Sequence, residues 1–256
     1  MPRLENVRAL VTGGTSGIGA AIVERLRSEG ACVAFTGRSA ERGAAVAERT
    51  EATFVPADTR DPGAVRRSVR EAAAALGGLD AVVVNAGVLH EARLSETSDE
   101  AWDAIVETNL VGPYLYAVAC LPELRAAGGG SIVLTSSDAG VWGETAIGAY
   151  SVSKRAVNML VQMLAVEAGP HGIRVNAVCP GDTAPGMATF VEGRVETGGD
   201  TAGWLRPPLG RVGTGEDVAG AVAFFVSADS AFCNGSILLV DGGMRASIRA
   251  SSVMSG

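Results

Sequence analysis

Histidine and cysteine are scarce in this 256-residue chain, and where they occur they do not gather. His90 and His171 stand alone, away from cysteines or acids at metal-ligand spacing, so no metal centre is expected. Cys32, Cys120, Cys179 and Cys233 are widely separated and form no CxxC pair, which points to reduced thiols and a cytoplasmic protein. The opening MPRLENVRAL lacks the apolar stretch of a signal peptide. Long apolar runs are missing too. Gly, Arg or Glu breaks each stretch before the roughly 18 residues of a membrane span, so a soluble protein is expected. Basic residues are outnumbered, 21 Lys and Arg against 28 Asp and Glu, and a formal charge of -7 argues against a broad nucleic-acid face. Aromatics make up only 5%, so the core must be built from Ala, Val, Leu and Ile.

What is present is glycine, 34 residues of it, and a hydrophobic content of 47%, enough for one large core and one domain over 1–256. Short apolar runs recur at Val7–Thr12, Ala31–Thr36, Thr53–Ala57, Leu79–Asn85, Ser131–Thr135, Ile173–Val178 and Ile237–Val240. Between them lie segments of helical period: Ile18–Glu29, Ala40–Arg49, Ala64–Leu76, Glu100–Leu124, Ala149–Ala168 and Asp217–Ala228. Strands apolar on both faces that alternate with helices predict a doubly wound α/β fold. Its parallel seven-stranded sheet is covered by helices on both faces through right-handed crossovers. Ligands of such folds sit beyond the carboxyl ends of the strands. One stretch breaks the rhythm: 182–215 is rich in glycine and proline and has no long apolar period, which predicts a flap over substrate. The tail 247–256 is small and polar and is expected to be loosely held.

The first strand runs into Thr12-Gly13-Gly14-Thr15-Ser16-Gly17-Ile18-Gly19 and then directly into a helix. Glycines at such a junction permit a tight turn and close approach of the backbone to a pyrophosphate, while the free N–H groups of the helix start face the anion. A plain structural turn is the alternative, and the strand before and helix after weigh against it.

The spacing TGxxxGxG resembles the short-chain dehydrogenase/reductase family, a Rossmann-type family, and further motifs along nearly the whole chain agree. Asn85-Ala86-Gly87 is similar to the family's NAG element, Asn109 to its helix asparagine, Ser137, Tyr150 and Lys154 to its Ser…Tyr-x-x-x-Lys set, and Pro180-Gly181 to the loop after the sixth strand. The resemblance implies an oxidoreductase that moves a hydride between a nicotinamide nucleotide and a carbonyl or secondary-alcohol carbon. It implies cofactor contacts from Gly13, Thr15, Ser16, Gly17, Ile18, Gly19, Asn85, Ala86, Gly87, Tyr150, Lys154, Pro180, Gly181 and Thr183. Asp58, with Thr59 beside it, resembles the adenine-contacting aspartate, although Asp58 to Pro62 also reads as ordinary helix-start chemistry. A homotetramer or dimer is typical of such relatives, and Ala149–Ala168 and the last strand are candidate interfaces.

Where NAD-dependent relatives carry an acid at the end of the second strand this chain has Gly37, followed by Arg38. A carboxylate there would repel a 2′-phosphate, whereas Arg38 offers paired donors to one, with Ser39 as a helper, so NADP(H) is favoured over NAD(H). The alternative is that Arg38 caps a surface loop.

Tyr150 and Lys154 are four apart in a helical segment and share a face. An ammonium beside a phenol lowers the phenol's pKa, which makes Tyr150 the acid/base candidate. Ser137, just past a strand, is placed to hold the substrate oxygen, with Ser136 as the nearby competitor. By resemblance Lys154 also holds the nicotinamide ribose, and Asn109 supports a water that links the lysine to solvent. The chain departs from the family five residues after Pro180. Pro185 replaces the usual threonine there, leaving Thr183 as the nearest hydroxyl. His90, Trp142, Glu144, Met187 and Trp204 are candidate pocket residues, with solvent exposure or packing as the plainer explanation. An epimerase or dehydratase on the same fold, or a cofactor-bound regulatory protein without turnover, are the other functions considered.

Overall fold

A computed structural model describes residues 3–184 and 207–246. The centre of the expected flap, including Pro185, Met187 and Trp204, and the expected loose tail lie outside the described residues.

Seven strands form one parallel sheet: β1 (Arg8–Thr12), β2 (Cys32–Gly37), β3 (Thr53–Pro56), β4 (Ala81–Val84), β5 (Gly130–Thr135), β6 (Ile173–Pro180) and, last in the chain, β9 (Ile237–Val240). Their order across the sheet is β3-β2-β1-β4-β5-β6-β9, with every neighbouring pair parallel. The order reverses at β1 and β4, so a crevice opens beyond their carboxyl ends. A two-stranded pair, β7 (Thr183–Ala184) with β8 (Gly213–Thr214), draws together the two ends of the 182–215 stretch.

Strand side chains alternate between the faces and build two cores. Leu10, Val82, Val84, Ile132 and Leu134 pack on one side with α3 (Pro62–Leu76), α5 (Gly112–Ala126) and α6 (Gly148–Ala168). Ala9, Val11, Ala81, Val83 and Val133 pack on the other with α1 (Gly17–Ser28), α2 (Ala40–Thr50) and α7 (Gly215–Val226). Helix starts follow local chemistry. Asp61 accepts from Gly63 N–H at 2.7 Å with Pro62 in the first turn, and Thr214 and Asp217 form a capping box on α7. Tyr116, fully buried on α5, places its hydroxyl 3.1 Å from Ser68 Oγ and 3.3 Å from Thr36 Oγ1, tying α5 to α3 and to β2.

One expected element is corrected. The helix read as Glu100–Leu124 is two helices, α4 (Asp99–Val106) and α5, joined by a π turn at Glu107–Val111. Pro113 has no N–H, so it cannot donate to the carbonyl of Asn109 four residues before it, and the ladder widens there. The run 99–126 is long and apolar enough, by length and composition, to cross a membrane, yet Tyr116, Ala117, Cys120 and Leu124 within it are buried in the core. Strand limits shift modestly. Leu79–Asn85 contracts to Ala81–Val84, and the sixth strand extends to Pro180.

Candidate active site

A cleft of about 460 Å³ lies beyond the carboxyl ends of β1, β2, β4, β5 and β6. Its floor is the glycine turn. Gly13 (φ +68°) and Gly17 (φ +52°) adopt left-handed backbone, and a Cβ on Gly13 would sit 2.8 Å from Ala86 Cα. A Cβ on Gly19 would lie 2.0 Å from the Gly13 carbonyl oxygen, so helix and turn touch directly. Thr12 Oγ1 accepts the N–H groups of Asn85 and Ala86 at 3.0 and 3.1 Å, which fastens the NAG segment to the end of β1. Ser16 is the N-cap of α1, but its side chain makes no capping hydrogen bond, and around Gly17 there is open space. This bare helix start, lining the cleft, fits the pyrophosphate of a dinucleotide.

Beyond β2 and β3 the cleft is lined by Gly37, Arg38, Arg42, Asp58, Thr59 and Arg60. Gly37 has no room for a side chain, because a Cβ there would approach Thr15 Cγ2 to 2.4 Å. Asp58 is held by Arg60, with contacts at 2.8 and 3.2 Å, and this hydrogen bonding keeps its carboxyl below the usual range, with Arg38 adding to the effect. Arg38 and Arg42 form no ion pair with protein acids among the described residues. Thr59 Oγ1 is buried without a partner. Ser39 is elsewhere: it caps α2, accepting from Arg42 N–H at 3.3 Å, and does not line the cleft.

Ser137, Tyr150 and Lys154 line the same cleft, as do Asn85, Ala86, Gly87, Pro180, Gly181 and Thr183. Ser137 follows β5 and caps a short turn, Asp138–Gly140, accepting from Ala139 N–H at 3.2 Å. Both serines line the cleft: Ser136 donates its hydroxyl to the Lys154 carbonyl at 3.1 Å, and Ser137 donates to the Asp138 carboxyl at 3.2 Å. Lys154 Nζ donates to the Thr135 carbonyl at 2.8 Å and lies 5.6 Å from the centre of the Tyr150 ring. Asn109, fully buried in the π turn, does not line the cleft. Its amide accepts from Val88 N–H and donates to Val88 C=O, both at 2.8 Å, and so positions the segment after the NAG element.

The expectation that Lys154 lowers the phenol's pKa is corrected. Burial pushes Tyr150 up to about 12, opposed by a hydrogen bond with Ser137, while burial pulls the Lys154 ammonium down to about 8. The lysine is aimed at the Thr135 carbonyl, and desolvation dominates both groups. Sequence reasoning also missed Arg42, in the first turn of α2, and Asp138, pushed to about 6 by burial and bonded to Arg245. Arg38 precedes the Ser39 cap, so no helical spacing joined the two arginines. Nothing local linked positions 138 and 245.

Comparison with known proteins decides the family. A family model described as enoyl-(acyl carrier protein) reductase matches residues 13–245. The chain belongs to the short-chain dehydrogenase/reductase family. It is 36% identical to L-fucose dehydrogenase of Mus musculus over 248 residues (91% of this chain, 86% of that one). It is 35% identical to 2-(S)-hydroxypropyl-CoM dehydrogenase 3 of Xanthobacter autotrophicus (95% and 98%) and 34% identical to 3-alpha-(or 20-beta)-hydroxysteroid dehydrogenase of Mycobacterium tuberculosis (94% and 90%). This short-chain dehydrogenase/reductase is therefore an oxidoreductase of a family that uses nicotinamide cofactors.

A buried lysine held near pKa 8 instead of 10.5 weakens the fold at neutral pH by something on the order of 3 kcal/mol. The unfolded chain binds the extra proton between these values, so the penalty is full below pH 8 and gone above about 10.5. Lys154→Met is expected to stabilise the protein by about 1 to 2 kcal/mol at pH 7, after the lost bond to Thr135 is counted. In urea denaturation the gain should fall through zero between pH 8 and 10.5 and become a loss of about 1 to 2 kcal/mol near pH 10.5; an equal gain at both pH values would contradict the burial argument.

Proposed function

We propose that this short-chain dehydrogenase/reductase moves a hydride between NADP(H) and a carbonyl or secondary-alcohol carbon of a small or mid-sized organic molecule. It acts as a ketoreductase or alcohol dehydrogenase. The observation that carries the reading is the convergence of Ser137, Tyr150 and Lys154 on the cleft that the glycine turn floors. The three relatives named above, all dehydrogenases, support a hydroxyl-bearing substrate.

When bound, the nicotinamide supplies or accepts the hydride. Tyr150 holds the proton that the substrate oxygen gains in reduction and loses in oxidation, and its high pKa keeps that proton in place until an oxygen needs it. Ser137 fixes the substrate oxygen. Lys154 would hold the nicotinamide ribose, and the bare start of α1 the pyrophosphate. The NADP(H) preference rests on Arg38 and Arg42, two uncommitted guanidinium groups at the adenosine end, and on the closed space at Gly37. No observation favours epimerisation or dehydration, and the presence of both Tyr150 and Lys154 argues against a regulatory protein without turnover.

The protein is also proposed to be cytoplasmic, with its four cysteines free, and to work as a homo-oligomer. Val111, Tyr114 and Val118 near or on α5, and Val152, Met159, Met163 and Val166 on α6, are exposed apolar side chains that a second copy of the chain would cover.

A panel of aldoses, secondary alcohols and ketones, offered with both nucleotides and followed by cofactor absorbance, tests the reaction. Tyr150→Phe is expected to lower kcat roughly 10²- to 10⁴-fold, and unchanged turnover would refute the mechanism. Arg38→Ala with Arg42→Ala should weaken NADPH binding about 10- to 100-fold and leave NADH binding nearly unchanged; equal losses would overturn the preference. Light scattering should report a dimer or tetramer that Met163→Asp with Val166→Asp converts to monomers.

A further inference from the structure

The mechanism leaves one buried carboxylate at its centre unused. Asp138, 9% exposed, directly follows Ser137, and its Oδ1 lies 3.2 Å from the Ser137 hydroxyl. Its Oδ2 accepts from Arg245 Nε at 3.0 Å. Arg245 also pairs with Glu144, and its backbone N–H donates to Asp241 Oδ2 at 2.8 Å, so the turn after β9 holds the guanidinium in place.

The Ser137 hydroxyl has one proton to give. Its oxygen already accepts from Ala139 N–H, which leaves one lone pair for the cleft that Tyr150 also lines. An ionised Asp138 only accepts, so it draws the Ser137 proton away from the cleft and leaves a single lone pair facing it. A protonated Asp138 makes no such demand, and the Ser137 proton is free to turn toward Tyr150 and a substrate oxygen. We infer that Asp138 is a positioning residue for hydride transfer: its charge decides whether Ser137 meets the substrate oxygen as acceptor or as donor, and Arg245 biases that charge. This rests on the reading in which Ser137 fixes the substrate oxygen. A donor suits a carbonyl oxygen, so protonated Asp138 favours reduction, whereas ionised Asp138 withholds the Ser137 proton from that oxygen.

The groups facing Asp138 set where it changes. Burial raises its carboxyl to about 6; Arg245 opposes this, while Glu144 from the loop before α6 and Asp182 from the loop after β6 add to it. From the elements packed against this turn, Tyr150 and Lys154 on α6 and Cys179 on β6 complete the surroundings. Asp138 is thus ionised above about pH 6 and protonated below it.

The test needs no substrate. The chain has three tyrosines, and with ¹³Cζ-labelled tyrosine the Tyr150 signal, assigned with Tyr150→Phe, is followed from pH 5 to 8 beside ¹³Cγ-labelled aspartate. The expected result is a step in the Tyr150 signal at the pH where Asp138 titrates. That step should be absent in Asp138→Asn, and in Ser137→Ala, where Asp138 itself still titrates, it should shrink to the through-space effect of the Asp138 charge on Tyr150. In Arg245→Gln both steps should move upward together by roughly one pH unit or more. A flat Tyr150 signal in the wild type, a step as large in Ser137→Ala as in the wild type, or no movement in Arg245→Gln would each overturn the inference. The wild-type and Arg245→Gln results stand even where Asp138→Asn does not fold. Turnover of Tyr150→Phe is measured separately, so a failure of the hydride-transfer reading is distinguishable from a failure of this one.

Discussion

The floor of the cleft hangs on the hydroxyl of Thr12. Fully buried at the end of β1, it takes up the backbone N–H groups of Asn85 and Ala86, which would otherwise face the interior unpaired. The carboxyl ends of β1 and β4 are thereby joined where the strand order reverses, and Ala86 comes so close to Gly13 that no side chain fits between them. The turn after Gly13, the bare start of α1 and the segment that Asn109 secures through Val88 all take their positions from this joint.

Around that joint the protein accepts local instability for chemistry. Tyr150 and Lys154 are both buried, and the field each feels comes from desolvation more than from the other. A phenol held near 12 and an ammonium near 8 strain toward their neutral forms, which suits a site that holds protons for a substrate oxygen. Catalytic sites commonly oppose stability in this way.

Much of the fold was legible because the strands are apolar on both faces and the helices keep their period, so the sheet and its layers follow from Val7 to Val240 almost element by element. The site was legible where chemistry is local, as in the glycine turn and the Tyr150 and Lys154 pair. It was not legible where geometry overrules type. Pro113 split a helix that its neighbours' hydropathy favoured, and Ser39 was needed as a cap. The sign of the Tyr150 shift depended on where Lys154 points, which spacing does not specify. Asp138 and Arg245 meet across 107 positions, beyond the reach of any motif.

The contact between Gly37 and Thr15 bears on how such a cleft changes over evolution. Thr15 as it stands is compatible only with glycine at position 37, since a side chain there meets the Thr15 methyl, whereas Gly37 makes no such demand on position 15. An acid at the end of β2 therefore has to wait for a smaller residue in the glycine turn. The order of the two replacements is constrained: the change in the glycine turn comes first, and only then can the end of β2 take a side chain.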